Sequence, residues 1–201
     1  MLLSALSYII ASPSSMWINQ QAFAFMRYVS NPLLTSIMQA LAESFYIVLP
    51  LVALYMYIGK KDADAYSFVV AAVILFMISD TIKSIVGEPR PCTIPGEVTW
   101  LSGVGCESSF SFPSNHASVL TGLLFFTGRH RYIRVLYVVW LALVLFGRVY
   151  LGAHYLTDVL AGIAISLAVA YLIYTKRRKI NALVNRIVGM IIPRLALKDL
   201  G

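Results

Sequence analysis

The chain is 201 residues long, 59% hydrophobic and only 12% charged, with a formal net charge of +7. That length fits a single domain, and that composition excludes a soluble globular fold, because there is too little polar surface to cover one. The excess of bases excludes an acidic ligand face less than it defines membrane ends: Lys60, Lys61, Arg129, Arg131, Arg134 and Lys176 to Lys179 all sit in short breaks between apolar runs, a pattern of topology rather than of nucleic-acid binding.

Residues 1–32 form an N-terminal segment. Leu2 to Ile10 is apolar but too short to span, and no positively charged leader precedes it, so a cleaved signal peptide is not expected. Trp17 to Tyr28 mixes aromatic and polar residues and reads as an interfacial helix, with a short first span as the alternative. Leu33 to Ile58 is the first span, interrupted only by Glu43 and Pro50, and Glu43 is expected to face the bundle, with a place at the lipid entrance of a site as the lesser alternative. After the Lys60-Lys61 break, Ala65 to Val86 is the second span. Its far end carries Asp80 and Lys83, three residues apart and expected to pair across one turn. Gly87-Glu88-Pro89-Arg90-Pro91 cannot continue a helix, because proline lacks a donor and restricts the residue before it. A loop follows, and a third span opens at Phe112-Pro113-Ser114-Asn115, places His116 in its first turn and runs to Gly128. Tyr132 to Phe146 is the fourth span and Tyr155 to Thr175 the fifth. Residues 176–201 make a basic amphipathic tail suited to an anionic leaflet. No internal repeat is visible.

The fold class is therefore all-α: a polytopic membrane bundle of five transmembrane helices, six if the N-terminal segment also crosses, with residues 33–175 as its core. The basic breaks at 59–64, 129–134 and 176–179 alternate with the stretches 87–115 and 147–154, so the two groups lie on opposite sides. Placing the basic group in the cytoplasm puts the C-terminus inside and the second group outside, in a multi-pass protein of the cell membrane. His130 falls in a basic break and is expected at the cytoplasmic surface. At 1.5 Å per residue, His116 and Arg148 lie roughly 20 Å from the cytoplasmic edge of a core about 30 Å thick, sunk below the outer surface.

Ionisable residues concentrate where a membrane protein should carry none. The stretch Gly147 to Asp158 sits between two apolar runs and holds Arg148, His154 and Asp158. His154 and Asp158 are four apart, which on a helix would put both on one face and let the carboxylate fix the imidazole tautomer. Arg148 supplies a planar fork of donors suited to phosphate. Function is the default reading of such groups, with a purely structural polar cluster as the lesser one. Cys92 and Cys106, the only cysteines, lie in one long loop assigned to the outer face and are expected to form a disulfide.

Three motifs occur in order: Lys83-x6-Arg90-Pro91, then Pro113-Ser114-x-His116, then Arg148-x5-His154-x3-Asp158. Their order and spacing resemble the type 2 phosphatidate phosphatase family, over about residues 33 to 175, and within it the small lipid phosphatases acting on polyprenyl diphosphates. Asn115 stands where that family most often has Gly, and Gly147 where Ser usually precedes the Arg. The resemblance implies that Lys83, Arg90, Arg148, Ser114 and Asn115 hold the phosphate, that His154 attacks phosphorus with Asp158 behind it, and that His116 protonates the leaving oxygen and then activates water. The substrate it implies is a membrane lipid phosphate, with polyprenyl diphosphate favoured and phosphatidylglycerophosphate or phosphatidate as alternatives. A lipid phosphotransferase would share the covalent step. A transporter or flippase-like binding protein would also bury charge, but gives no reason for two histidines and three cations in this order. No cofactor is expected. Two histidines and an aspartate would suit zinc, yet three cations converging on one pocket oppose a divalent ion, so no metal is expected either.

Overall fold

A computed structural model describes residues 13–59, 64–101, 105–127 and 131–192. The expectations for Leu2 to Ile10, for Lys60 and Lys61, for Arg129 and His130, and for the tail beyond residue 192 lie outside the described residues. Eight α-helices follow one another among them: α1 (Pro13–Val29), α2 (Pro32–Glu43), α3 (Phe45–Leu54), α4 (Asp64–Val86), α5 (Asn115–Leu123), α6 (Arg131–Tyr150), α7 (Leu156–Thr175) and α8 (Arg177–Ile191). The described residues contain no strand, in keeping with the all-α class. Of these helices, α4, α6 and α7 are each long and apolar enough to cross a membrane. A fourth crossing is added if α2 and α3 count as one bent span.

The expected first span is broken. α2 starts on a cap, with the Asn31 side chain accepting from the Leu34 amide and Pro32 in the first turn. It then ends at Glu43, and α3 leaves at a bend of 43°. Ser44 marks the break, its hydroxyl donating to Leu41 O at 2.6 Å and accepting from Trp140 Nε1 at 2.9 Å. Such a hydroxyl offers the backbone an alternative to the regular ladder. The bend turns Glu43 outwards, so it is exposed rather than facing the bundle.

The expected third span is also shorter than its apolar run. α5 has nine residues, and after Leu123 the chain tightens into successive i to i+3 bonds, Leu124 N to Thr121 O, Phe125 N to Gly122 O and Phe126 N to Leu123 O. Every residue from His116 to Leu123 is buried. A helix enclosed on all sides faces other helices rather than lipid, so bilayer thickness does not set its length. Two glycines let its neighbours close on it. A Cβ on Gly122 would lie 2.3 Å from Leu75 Cδ1 of α4, and one on Gly162 of α7 would lie 2.8 Å from Ser114 O. α5 is thus the central post between α4 and α7.

The fourth span instead runs longer than expected, to Tyr150. Gly147 lets α6 pass close to Met38 of α2, where a Cβ would sit 3.3 Å from the sulfur. α1 docks on the same end of the bundle: Asn19 exchanges hydrogen bonds with the Thr157 amide and hydroxyl, and Phe23 packs on Trp100 and Tyr155. α8 folds back on α4, where Asn181 accepts from the Ser67 amide and hydroxyl and donates to Asp64. The C-terminal ends of α4 and α6 and the N-terminal ends of α5 and α7 therefore meet at one end of the molecule.

Candidate active site

Lys83 lies in the last turn of α4 and is only 2% exposed. Its ammonium donates to Phe110 O at 2.8 Å and Ser111 O at 2.9 Å. The expected pairing with Asp80 is replaced by these carbonyls. Three residues around the helix, Asp80 is exposed, and a buried ammonium takes the desolvated acceptors beside it. Ser111 N also donates to Glu88 O. Lys83 and Glu88 thereby pin the loop that leads into α5.

Arg90 is fully committed. Nε donates to Ser109 O at 2.7 Å, Nη1 to Ala153 O at 2.7 Å, and Nη2 to Ser109 Oγ at 2.8 Å and Glu107 Oε2 at 2.7 Å. Nη1 is also 3.3 Å from His154 Nε2. Arg148, buried in the last turn of α6, donates from Nη2 to the other oxygen of the same carboxylate, Glu107 Oε1, at 2.5 Å, while its Nε has no hydrogen-bond partner among the described residues. One carboxylate thus bridges the two guanidinium groups beside His154.

His154 and Asp158 do meet, but not across a helix turn. α6 stops at Tyr150 because Leu151 to His154 fold into a turn, with Ala153 N and His154 N both donating to Arg148 O. α7 begins after Tyr155, and Asp158 in its first turn reaches back to accept from the Tyr155 amide at 2.8 Å. That same oxygen accepts from Ser111 Oγ at 2.5 Å and lies 3.4 Å from His154 Nδ1. Burial first, then the charges of Arg148, Arg90 and Lys83, push the His154 imidazole well below its ordinary pKa, so it is neutral. With acceptors at Nδ1, the proton sits there, and the Nε2 lone pair turns towards the arginines. Beside Asp158, the Glu88 carboxyl is pushed up to about 8, by burial and then by the Asp158 charge, so near neutral pH it keeps its proton.

His116 sits in the first turn of α5, under Phe45 at 4.4 Å and Tyr46 at 6.5 Å between ring centroids. Its Nε2 is buried without a partner among the described residues, as is Asn115 Oδ1. The charges acting on it are those of Arg148, Glu107, Arg90 and Lys83. Ser114 caps the helix, its hydroxyl accepting from the Ala117 amide. Its backbone amide donates to Asp158 O at 3.1 Å. A cap, an imidazole and two arginines around a neutral histidine suit transfer of a phosphoryl group: donors for its oxygens, a nucleophile and a second proton-transfer group.

The PAP2 superfamily model matches residues 64–182. The chain belongs to the PAP2 superfamily. Among curated relatives, it is 27% identical to a lipid A 4'-phosphatase of Porphyromonas gingivalis, over 78% of this chain and 72% of that protein. It is 22% identical to an undecaprenyl-diphosphatase of Sulfolobus acidocaldarius, over 81% and 80% respectively. Among solved structures, the crystal structure of a transmembrane PAP2-type phosphatidylglycerolphosphate phosphatase from Bacillus subtilis superposes with a TM-score of 0.68, at 22% identity, covering 89% of this chain and 93% of that one. As a PAP2 membrane phosphatase the chain is a hydrolase of lipid phosphate esters.

The candidate site contains groups that the motifs do not name. Glu107, Ser111 and Glu88 lie between or beside the motif residues, and Phe45 comes from the α2–α3 break. None of them is marked by a local spacing; Glu107 stands next to Cys106 in the loop between α4 and α5. Cys92 and Cys106 are bonded, closing a ring with a sequence separation of 14. Cys92 N donates to Gly152 O at 2.9 Å, which ties the disulfide to the turn carrying His154. A ring of this size stabilises by roughly 3 kcal/mol in the chain-entropy model. Reductant is therefore expected to lower the melting temperature and the activity together, and to change neither in a Cys92→Ser, Cys106→Ser double variant. A wild-type protein that melts and turns over identically with and without reductant would end this account.

Proposed function

We propose that this protein removes a phosphate from a lipid phosphate at the outer face of the cell membrane, through a phosphohistidine on His154. The observation that carries the reading is the neutral, buried His154, held through Nδ1 by Asp158 and Ser111 with Nε2 against Arg90. In this reading Arg148 and Arg90 hold the phosphoryl oxygens, with Lys83 and Asn115 beside them. Lys83 also acts through the loop it anchors, and Ser114 through the helix it caps. His116 Nε2 gives a proton to the leaving oxygen and later takes one from water. Three cations make the metal-free route the natural one.

Five crossings serve this reading: the bent α2–α3 pair, α4, α5 with the turns that follow it, α6 and α7, with α1 at the interface and the basic α8 in the cytoplasm. The substrate proposed is a polyprenyl diphosphate cleaved to its monophosphate, supported by the motif resemblance and the Sulfolobus relative. The Porphyromonas relative favours a second substrate, the 4'-phosphate of lipid A. One experiment tests reaction, substrate and side together. Sealed right-side-out vesicles are given polyprenyl diphosphate, lipid A and phosphatidylglycerophosphate, with and without EDTA, and phosphate in the medium is measured. Release from polyprenyl diphosphate, unaffected by EDTA and absent from inverted vesicles until they are permeabilised, is the expected result. Release only from inverted vesicles would reverse the orientation, and loss on chelation restored by zinc would remove the metal-free route.

A further inference from the structure

The carboxylate of Glu107 sits between the two arginines that a phosphoryl group needs. Its Oε2 takes Nη2 of Arg90 at 2.7 Å and its Oε1 takes Nη2 of Arg148 at 2.5 Å. Arg90 is itself 3.3 Å from the His154 nitrogen that faces the cradle. A planar anion bound bidentately across two guanidinium groups uses the donors that the phosphoryl oxygens require. The two cannot be held at once in this geometry. Unlike the buried carboxylate of Asp158, that of Glu107 is 46% exposed, so water and the outer solution reach it from the side away from the arginines. Its backbone is held close by the adjoining Cys106, which is bonded to Cys92. Burial pushes its carboxyl pKa up, but Arg148 and Arg90 outweigh that and hold it below the usual carboxylate range, so it keeps its charge throughout the neutral range.

We propose that Glu107 is an internal anion that occupies the phosphate cradle and sets its specificity, giving way to a phosphomonoester or terminal diphosphate but not to a phosphodiester. This rests on the reading of the cradle as the phosphate site. The argument is one of charge. A phosphomonoester carries close to two negative charges near neutral pH and three free oxygens. Against two guanidinium groups it outcompetes a single carboxylate, which then turns out into solvent. A phosphodiester carries one charge and two free oxygens, so exchanging it for Glu107 gains nothing and adds two substituents to a buried cavity. The distinction matters because the site opens among membrane lipids, most of which are phosphodiesters. Without a resident anion, a cradle of three cations would be filled by the headgroups of the surrounding lipid. Specificity of this kind comes from a cost set against the wrong ligand rather than from added contacts with the right one.

The test uses the full-length protein in a non-ionic, phosphate-free detergent at about pH 8, where inorganic phosphate is chiefly a dianion. Calorimetry measures the affinity for inorganic phosphate and for dimethyl phosphate. Wild type is expected to bind phosphate and to bind dimethyl phosphate at least about tenfold more weakly, the size of one charge-assisted contact. In Glu107→Gln the affinity for dimethyl phosphate should rise by about tenfold and the gap between the two ligands should narrow. Glu107→Ala, read in the same way, serves if the glutamine variant does not fold, and Glu97→Gln in the exposed part of the loop should leave both affinities unchanged. An unchanged gap in Glu107→Gln or Glu107→Ala, or weaker binding of both ligands, overturns the proposal. Phosphate release by the wild type is scored separately. If no lipid phosphate is hydrolysed, the functional reading falls, while these affinities still decide whether Glu107 guards the cradle.

Discussion

His154→Ala is expected to abolish phosphate release, a loss of roughly 10⁴-fold or more in kcat, as found when a member of a coupled nucleophilic set is removed. The imidazole is buried, with its Nε2 3.3 Å from Arg90 Nη1. His116→Ala should behave differently. On the proposed roles it removes the group that activates water but leaves the attacking nitrogen, so a phosphoenzyme should accumulate on a substrate with a good leaving group. Asp158→Asn should retain a small residual rate, because an amide in place of the carboxylate can offer His154 Nδ1 a donor where an acceptor is needed. The measurement is acid-labile phosphate on the protein after a brief exposure to labelled substrate. Label trapped in His116→Ala and never in His154→Ala fits these roles. The reverse pattern exchanges the two histidines, and label in neither variant removes the covalent step.

Much of this site was legible because its chemistry is written in short local spacings. Arg148, His154 and Asp158 fall within one stretch, and Lys83, Arg90 and His116 each stand at the end of an apolar run. An ionisable residue at such a place has few explanations, since the bilayer penalises it. The pairing of Cys92 with Cys106 was legible for a similar reason: two cysteines in one loop leave one partner for each. What the sequence concealed were contacts made through the backbone. The spacing of His154 and Asp158 suggests a shared helix face, yet the turn at Leu151 to His154 breaks the helix and the pair forms through the cap of α7. Spacing of four satisfies both geometries, so period alone does not separate them. Lys83 goes to two carbonyls rather than to Asp80, and carbonyls carry no side-chain signature. The shortness of α5 was hidden for another reason. Its apolar residues read as a span, but they are apolar because helices enclose them, and burial in protein selects the same residues as burial in lipid. Glu107 was invisible as a functional group because its partners lie 17 and 41 residues away.

Arg90→Lys is expected to lower kcat/KM by about 10²–10³-fold, the cost of losing a positioned donor to a developing oxyanion. The conservative charge does not rescue it, because Arg90 acts through its shape. Its three nitrogens reach four acceptors, Ser109 O, Ser109 Oγ, Ala153 O and Glu107, and so join the loop before α5 to the turn that carries His154. An ammonium on a flexible stem is a point charge that satisfies only part of that set. Of the acceptors left over, Ala153 O belongs to a buried residue while Ser109 and Glu107 are exposed, so the variant should also lose stability, by about 1–3 kcal/mol for the one buried carbonyl left unsatisfied. Arg148→Lys makes the informative comparison. Among the described residues the Arg148 guanidinium is hydrogen-bonded to Glu107 alone, and its buried Nε has no partner. That replacement should leave the melting temperature nearly unchanged and fall chiefly on catalysis. Thermal melts and kinetics on the two variants separate the roles: Arg90 as cradle and cross-link together, Arg148 as cradle alone. Equal loss of stability in both, or an Arg90→Lys enzyme with wild-type kcat/KM, would mean that the loop and the His154 turn are held together by something other than this guanidinium.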